Sequence, residues 1–162
     1  GAYVNGKPDS VWRWFYKSGK VLRTENFYNG LADGVLTEYD EEGKIITQGD
    51  YLEGKKEGVW FYEVGDNRDE GNYAEGMRNG NWKSFYADGT LRFEGKFVDD
   101  LPNGEHTWHW PDGNIKQQGQ YVMGRKNGDW KRYDESGLLI ININYRGGRE
   151  VKYDGIPIDA PE

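Results

Sequence analysis

The chain has 162 residues, the length of one ordinary domain, and carries 24 Gly, 12 Tyr, 7 Trp and 6 Phe with a net charge of −7. Only 35% is hydrophobic, which is thin for a compact two-layer core, yet the aromatic content is too high for a disordered chain. The acidic balance argues against nucleic acid, which needs a basic face, and equally against an anionic membrane surface, the lack of Cys excludes disulfides and thiolate metal sites, and no apolar run approaches the ~20 residues of a membrane helix.

In chain order the predicted elements repeat. Residues 1–9 read as a partial unit. It begins with Gly rather than Met, which gives the expectation that a signal peptide or an upstream segment has been removed. Full units follow at 10–33, 34–57, 58–79, 80–103, 104–127 and 128–151. The residue two before the Trp position is Ser10, Gly34, Gly58, Gly80, Gly104 and Gly128, in steps of 24, 24, 22, 24 and 24. A turn glycine recurs at Gly19, Gly43, Gly65, Gly89, Gly113 and Gly137. A third series is aromatic throughout: Tyr3, Phe27, Tyr51, Tyr73, Phe97, Tyr121 and Tyr145. A constant period in this range marks a repeat array.

Each unit reads as a β-hairpin. The turns KSGK, EEGK, ADGT, PDGN and ESGL place Gly where a tight turn wants positive φ. The strand after the turn alternates: Leu91, Phe93, Gly95 and Phe97 on one face, Thr90, Arg92, Glu94 and Lys96 on the other. The third unit is short by two residues between Gly58 and Gly65, and an even deletion preserves which way later side chains point. Gly49, Gly71, Gly95 and Gly119 recur inside these strands, where Gly weakens a strand unless something needs the space. The expected occupants are Trp60, Trp82 and Trp130, with Trp12 and Leu36 as counterparts. The first strand carries rings three apart in three units, Trp12 and Phe15, Trp82 and Phe85, and Trp130 and Tyr133, which is opposite parity. A bulge or bend between them is expected, at a place the sequence does not give. One hairpin cannot bury enough to order itself, so the units must stack on their neighbours. The expected fold is all-β: an elongated, open antiparallel sheet of tandem hairpins. Its exposed edges offer a route to self-association. At the far end Leu139, Ile141, Ile143 and Tyr145 make one strand face apolar, and residues 152–162 read as a capping tail.

One segment departs from the pattern. GEHTWHWPDG, 104–113, holds both histidines, His106 and His109, together with Trp108 and Trp110. His106 and His109, three apart on a strand, point to opposite faces and do not make a zinc pair. Trp108 and Trp110 share a predicted face and offer stacking for a sugar ring or a peptide. These four residues are the candidate binding site. No catalytic set, metal site or cofactor loop is legible elsewhere. The serines lack a nucleophile elbow, and acidic pairs such as Asp99 and Asp100 lie at turns.

A unit such as EGKKEGVWFYEVGDNRDEGNYA, with Tyr51, Gly54, Gly58, Trp60, Tyr62, Gly71 and Tyr73, resembles the MORN-type repeat. The likeness is to the diverged bacterial form found in YwqK-family antitoxin-like proteins, and it covers about 3–151. Ser10, Asp100 and His106 depart from the motif, where Gly, Gly and Trp are expected. The resemblance implies a non-catalytic protein-interaction scaffold acting as the antitoxin of a toxin–antitoxin pair, whose acidic face meets a basic toxin in the cytoplasm. The alternative is an exported cell-envelope module that binds glycan or peptide through exposed aromatics.

Overall fold

The computed structural model describes residues 1–154 and 156–157. It is built of strands, with no helix among the described residues. In chain order they are β1 (Ala2–Val4), β2 (Lys7–Phe15), β3 (Val21–Tyr28), β4 (Leu31–Tyr39), β5 (Ile45–Leu52), β6 (Lys55–Val64), β7 (Asn67–Ala74), β8 (Met77–Phe85), β9 (Leu91–Val98), β10 (Leu101–His109), β11 (Ile115–Val122), β12 (Arg125–Tyr133), β13 (Leu139–Arg146), β14 (Arg149–Tyr153) and β15 (Ile156–Pro157). The chain divides into two units, Gly1–Met77 and Arg78–Glu162. In the first, β1 to β7 pair antiparallel in chain order. In the second, β8 to β15 do the same. The fold is thus all-β, made of tandem hairpins that pair along the chain.

Two kinds of turn alternate. Five of the six glycine turns anticipated from sequence occupy five residues. In the first, the Gly19 N–H donates to the Tyr16 carbonyl at 3.0 Å and the Tyr16 N–H to the Lys20 carbonyl at 2.8 Å. Gly19 has φ of +86°, the left-handed residue of a type I turn with a G1 bulge. At the opposite end of the strands the connections have two residues, both left-handed: Asn5–Gly6 (+51°, +74°) and Asn29–Gly30 (+49°, +91°) are examples. That is the type I′ geometry whose twist suits a hairpin.

The short third unit has a specific cause. Its turn is Gly65–Asp66, only two residues long, and β6 pairs with β7 without a register shift down to Val64 and Asn67. The other long strands carry a shift one residue before their end, at Trp14/Phe15, Glu38/Tyr39, Ser84/Phe85, Trp108/His109 and Arg132/Tyr133. This is the bulge that reconciles rings three residues apart. Where the turn shortens, the bulge goes with it.

A second irregularity sits near the start of each long strand. Phe27 pairs with Ala32 but Glu25 with Leu36, so residues 33–35 face Asn26 alone. Gly34 there has φ of +101°, and Gly58, Gly80, Gly104 and Gly128 are likewise left-handed. Ser10 occupies the same position at +63°, a conformation costly for a residue with a Cβ.

The buried apolar residues are Leu36, Trp60, Trp82, Phe97 and Trp130. The Trp60 and Trp130 indoles occupy the space a glycine leaves. A Cβ on Gly49 would collide with the Trp60 ring and one on Gly119 with the Trp130 ring. Trp60 and Trp82 are also register partners of Gly71 and Gly95. The indole N–H groups reach back to backbone, Trp60 Nε1 to the Asp50 carbonyl and Trp130 Nε1 to that of Gln120, both 3.1 Å. The third aromatic series stands edge-on to them: Tyr51 to Trp60 at 5.1 Å and Tyr121 to Trp130 at 4.9 Å. Lys56 and Lys126 lie over Trp60 and Trp130 at 4.6 and 4.5 Å, closing the ring face from solvent. The expected tail, 152–162, lies in large part outside the described residues. In its described part β14 pairs along β13, and β15 along β14.

Candidate functional site

The structure places the four residues singled out at 106–110 inside the repeat framework. His106 is 2% exposed and takes the place of a Trp. It packs against Gly95, where a Cβ would meet its ring at 2.5 Å, between Phe97 at 5.2 Å and Tyr121 at 4.9 Å. Its Nε2 lies 2.8 Å from the Lys96 carbonyl, the same interaction that the indoles make. A carbonyl only accepts, so Nε2 carries the proton. Burial pushes the ring below the ordinary histidine value. The Lys96 carbonyl opposes this, and the Arg78 charge adds to it. His106 is a neutral structural histidine.

Trp108 is half-buried on the same ring face, with Phe93 at 5.1 Å and Trp130 and His106 both at 6.0 Å. His109 follows the bulge, and its Nδ1 is buried without a hydrogen bond. Trp110 starts the turn. Its Nε1 donates to the Tyr133 carbonyl at 3.2 Å, and Lys116 Nζ covers its ring at 4.3 Å. Tyr16 and Tyr86 hold the equivalent place and donate to Tyr39 and His109 carbonyls at 2.7 Å. The segment is therefore a variant of the common unit: His106 and Trp108 belong to the ring face, while Trp110 latches one turn to the next. The bulge after Trp108 separates the two tryptophans that simple alternation would put together.

The opposite face differs between the units. In the second, a trough of about 370 Å³ is lined largely by Asn81, Lys83, Glu94, Lys96, Glu105 and Thr107, with balanced charge and amide groups. In the first, the same repeat position as Asn81 and Glu105 is valine: Val11, Val35 and Val59 are 39%, 41% and 70% exposed. Two residues earlier on each strand stands a carboxylate, Asp9, Asp33 or Glu57, where the second unit has Asn79, Asn103 and Asn127. Asp50, the register partner of Val35, is exposed on the strand between Val35 and Val59. These residues went unmarked in the sequence because only aromatic and glycine positions were aligned. Reading the other positions at the same 24-residue step exposes them: valine three times, then Asn81.

No group of three or more His, Asp or Glu among the described residues is placed to hold a metal ion, and no helix is long and apolar enough to cross a membrane.

Comparison with known proteins gives the family. The profile of the MORN repeat variant family matches four segments, residues 8–29, 32–53, 78–99 and 102–123, over half of the chain. Each begins within a strand that follows a type I′ turn and ends at the next such turn. No curated protein matches. Among solved structures the chain is similar to a mutant of TarM from S. aureus, determined with fondaparinux, alpha-GlcNAc-glycerol and UDP. The identity is 11% and the TM-score 0.24, over 75% of this chain and 20% of that one, so the chain spans about a fifth of that protein's length. With its period, its turn glycines and its matched segments in agreement, the chain belongs to the MORN repeat variant family.

Proposed function

We propose that this chain is a non-catalytic scaffold that binds another protein, and that the partner is basic, as the toxin of a toxin–antitoxin pair would be. The observation that carries this reading is the uneven surface. Residues 1–77 hold 9 Lys and Arg against 15 Asp and Glu, whereas residues 78–162 hold 12 against 13. The acidic excess coincides with the exposed valines. An acidic surface speeds encounter with a cationic partner, and exposed apolar residues hold it once docked. The rings at 106–110, which supported a glycan reading, have their faces occupied within the chain.

The test is affinity capture with the intact chain from its native cells, followed by reconstitution with each recovered protein. The reading predicts a stoichiometric complex with a protein of isoelectric point above ~8, weakened by salt. If the captured proteins include a growth inhibitor, co-expression of this chain relieves the inhibition. Recovery of glycans alone, or of acidic partners alone, overturns the proposal.

A further inference from the structure

The first unit carries an exposed row that the ring framework does not use. Val11, Val35 and Val59 lie on β2, β4 and β6 and pair in register with Asn26, Asp50 and Asn72. They fall on alternate strands, so they are spaced by about 9.5 Å, twice the separation of neighbouring strands. Asp9, Asp33 and Glu57 run beside them, two residues back along the same strands. Glu57 accepts the Glu75 N–H at 3.0 Å, and Asp9 accepts the Ser10 hydroxyl at 3.1 Å. Among the described residues, none of Asp9, Asp33, Asp50 and Glu57 lies within ion-pair distance of a cationic side chain. An apolar row bordered by uncompensated carboxylates is complementary to a segment that is apolar along one line and cationic beside it.

The spacing selects the form of that segment. In an α-helix, residues seven apart return to one face after about 10.5 Å, close to the spacing of the valines. An extended strand laid across the sheet presents a side chain about every 6.7 Å and falls out of step after one valine. We infer that the valine row of the first unit docks a cationic amphipathic helix of a partner protein, which runs across β2, β4 and β6 with its basic side chains toward Asp9, Asp33 and Glu57. This rests on the protein-scaffold reading and gives it a site and a ligand class.

The probe is an 18-residue peptide of Leu and Lys patterned as an amphipathic helix, with two controls: the same composition scrambled, and Glu in place of Lys. Binding to the whole chain is followed by fluorescence anisotropy, and the site by methyl shifts of labelled valine. The patterned peptide is expected to bind one to one, gain helicity, and shift Val11, Val35 and Val59. The combined Val11→Asn, Val35→Asn, Val59→Asn variant should weaken binding at least tenfold. So should Asp33→Asn with Glu57→Gln, which guards against a valine variant that fails to fold. Each places in the first unit an amide like those the second unit carries at Asn79 and Asn81. Equal binding of the scrambled or Glu peptide overturns the inference. So does binding that survives both variants, a dimer of the chain alone that the valine variant dissolves, or valine shifts seen only with anionic lipid vesicles. A natural protein partner whose binding survives both variants overturns this site while leaving the scaffold reading intact.

Discussion

The two units share a framework and differ in how each tolerates its one exception. In the first, Leu36 stands where Trp60 stands in the next hairpin, and the residue paired with it on the preceding strand is Glu25 rather than glycine. Both partners have changed: the ring has shrunk and the gap has been filled. Glu25 is 6% exposed and is held by Arg23 at 2.6 Å. In the second, His106 replaces the indole while Gly95 stays open, and the imidazole keeps the hydrogen bond to backbone. The comparison teaches that what the repeat requires physically is a filled volume between neighbouring strands, and a ring nitrogen placed there, as in Trp60, Trp130 and His106, also reaches a backbone carbonyl. Tryptophan is one of several ways to fill that volume. The outer faces diverge freely because no such constraint acts there, and that is where the first unit carries valines and carboxylates.

The largest expected effect comes from emptying a regular site. Trp60 is 1% exposed, and Trp60→Ala should lower unfolding stability by about 3–5 kcal/mol in a urea titration. Leu36→Ala should cost less, about 2–3 kcal/mol, since fewer atoms are lost. Equal costs would break the comparison. Next comes overfilling: Gly119→Ala drives a Cβ into the Trp130 ring and should cost about 1–3 kcal/mol. A Cβ added at Gly19 or Gly113 would meet open space, so alanine there should show only the penalty for its positive φ.

A smaller effect separates the two exceptions by pH. The folded state holds His106 neutral, below its ordinary value, so the unfolded chain takes up the proton first as pH falls. The stabilisation is full above the unfolded value of about 6.5 and is lost as pH falls from there through the lower folded-state value, by at most ~1.4 kcal/mol per pH unit. Urea titrations at pH 7 and pH 5 should show a larger loss for the wild type than for His106→Trp. An identical loss would mean that His106 does not report on the framework. The smallest effect concerns Ser10. Ser10→Gly relieves a left-handed residue and should raise stability by about 1 kcal/mol, a few degrees in Tm. Asp100 is left-handed too, but its carboxylate accepts the Arg78 N–H at 2.8 Å, so Asp100→Gly should gain little.

Most of the framework was legible in the sequence because two periodicities coincide. A 24-residue step locates the hairpins, and a two-residue alternation within each strand puts the strand glycines on the face of the rings, while which glycine meets which ring, as Gly49 meets Trp60, is set by strand pairing. The bulge before Phe15, Phe85 and Tyr133 was signalled by parity but not placed, since parity counts residues without saying which one is extra. The two-residue turn at Gly65–Asp66 was hidden because a shorter loop and a longer strand leave the same even deficit. The four residues at 106–110 drew notice as an oddity of composition. Their roles depend on which backbone carbonyl each ring nitrogen reaches, and that distance is set by strand pairing. The Val11, Val35 and Val59 row was missed for the opposite reason: valines on strands are ordinary, and only their absence at Asn81 makes them informative.

The central claim is that ring and gap are chosen together across neighbouring strands. It is tested most directly by a double-mutant cycle at the one site where both have changed, Glu25 and Leu36. Leu36→Trp alone forces an indole onto the Glu25 side chain, and Glu25→Gly alone leaves a void beside Leu36. Both should destabilise in a urea titration. The double variant recreates the packing of Trp60 against Gly49 and should recover most of that loss, a coupling of about 2 kcal/mol or more. Strictly additive costs, with the double variant the least stable of the set, would contradict the account.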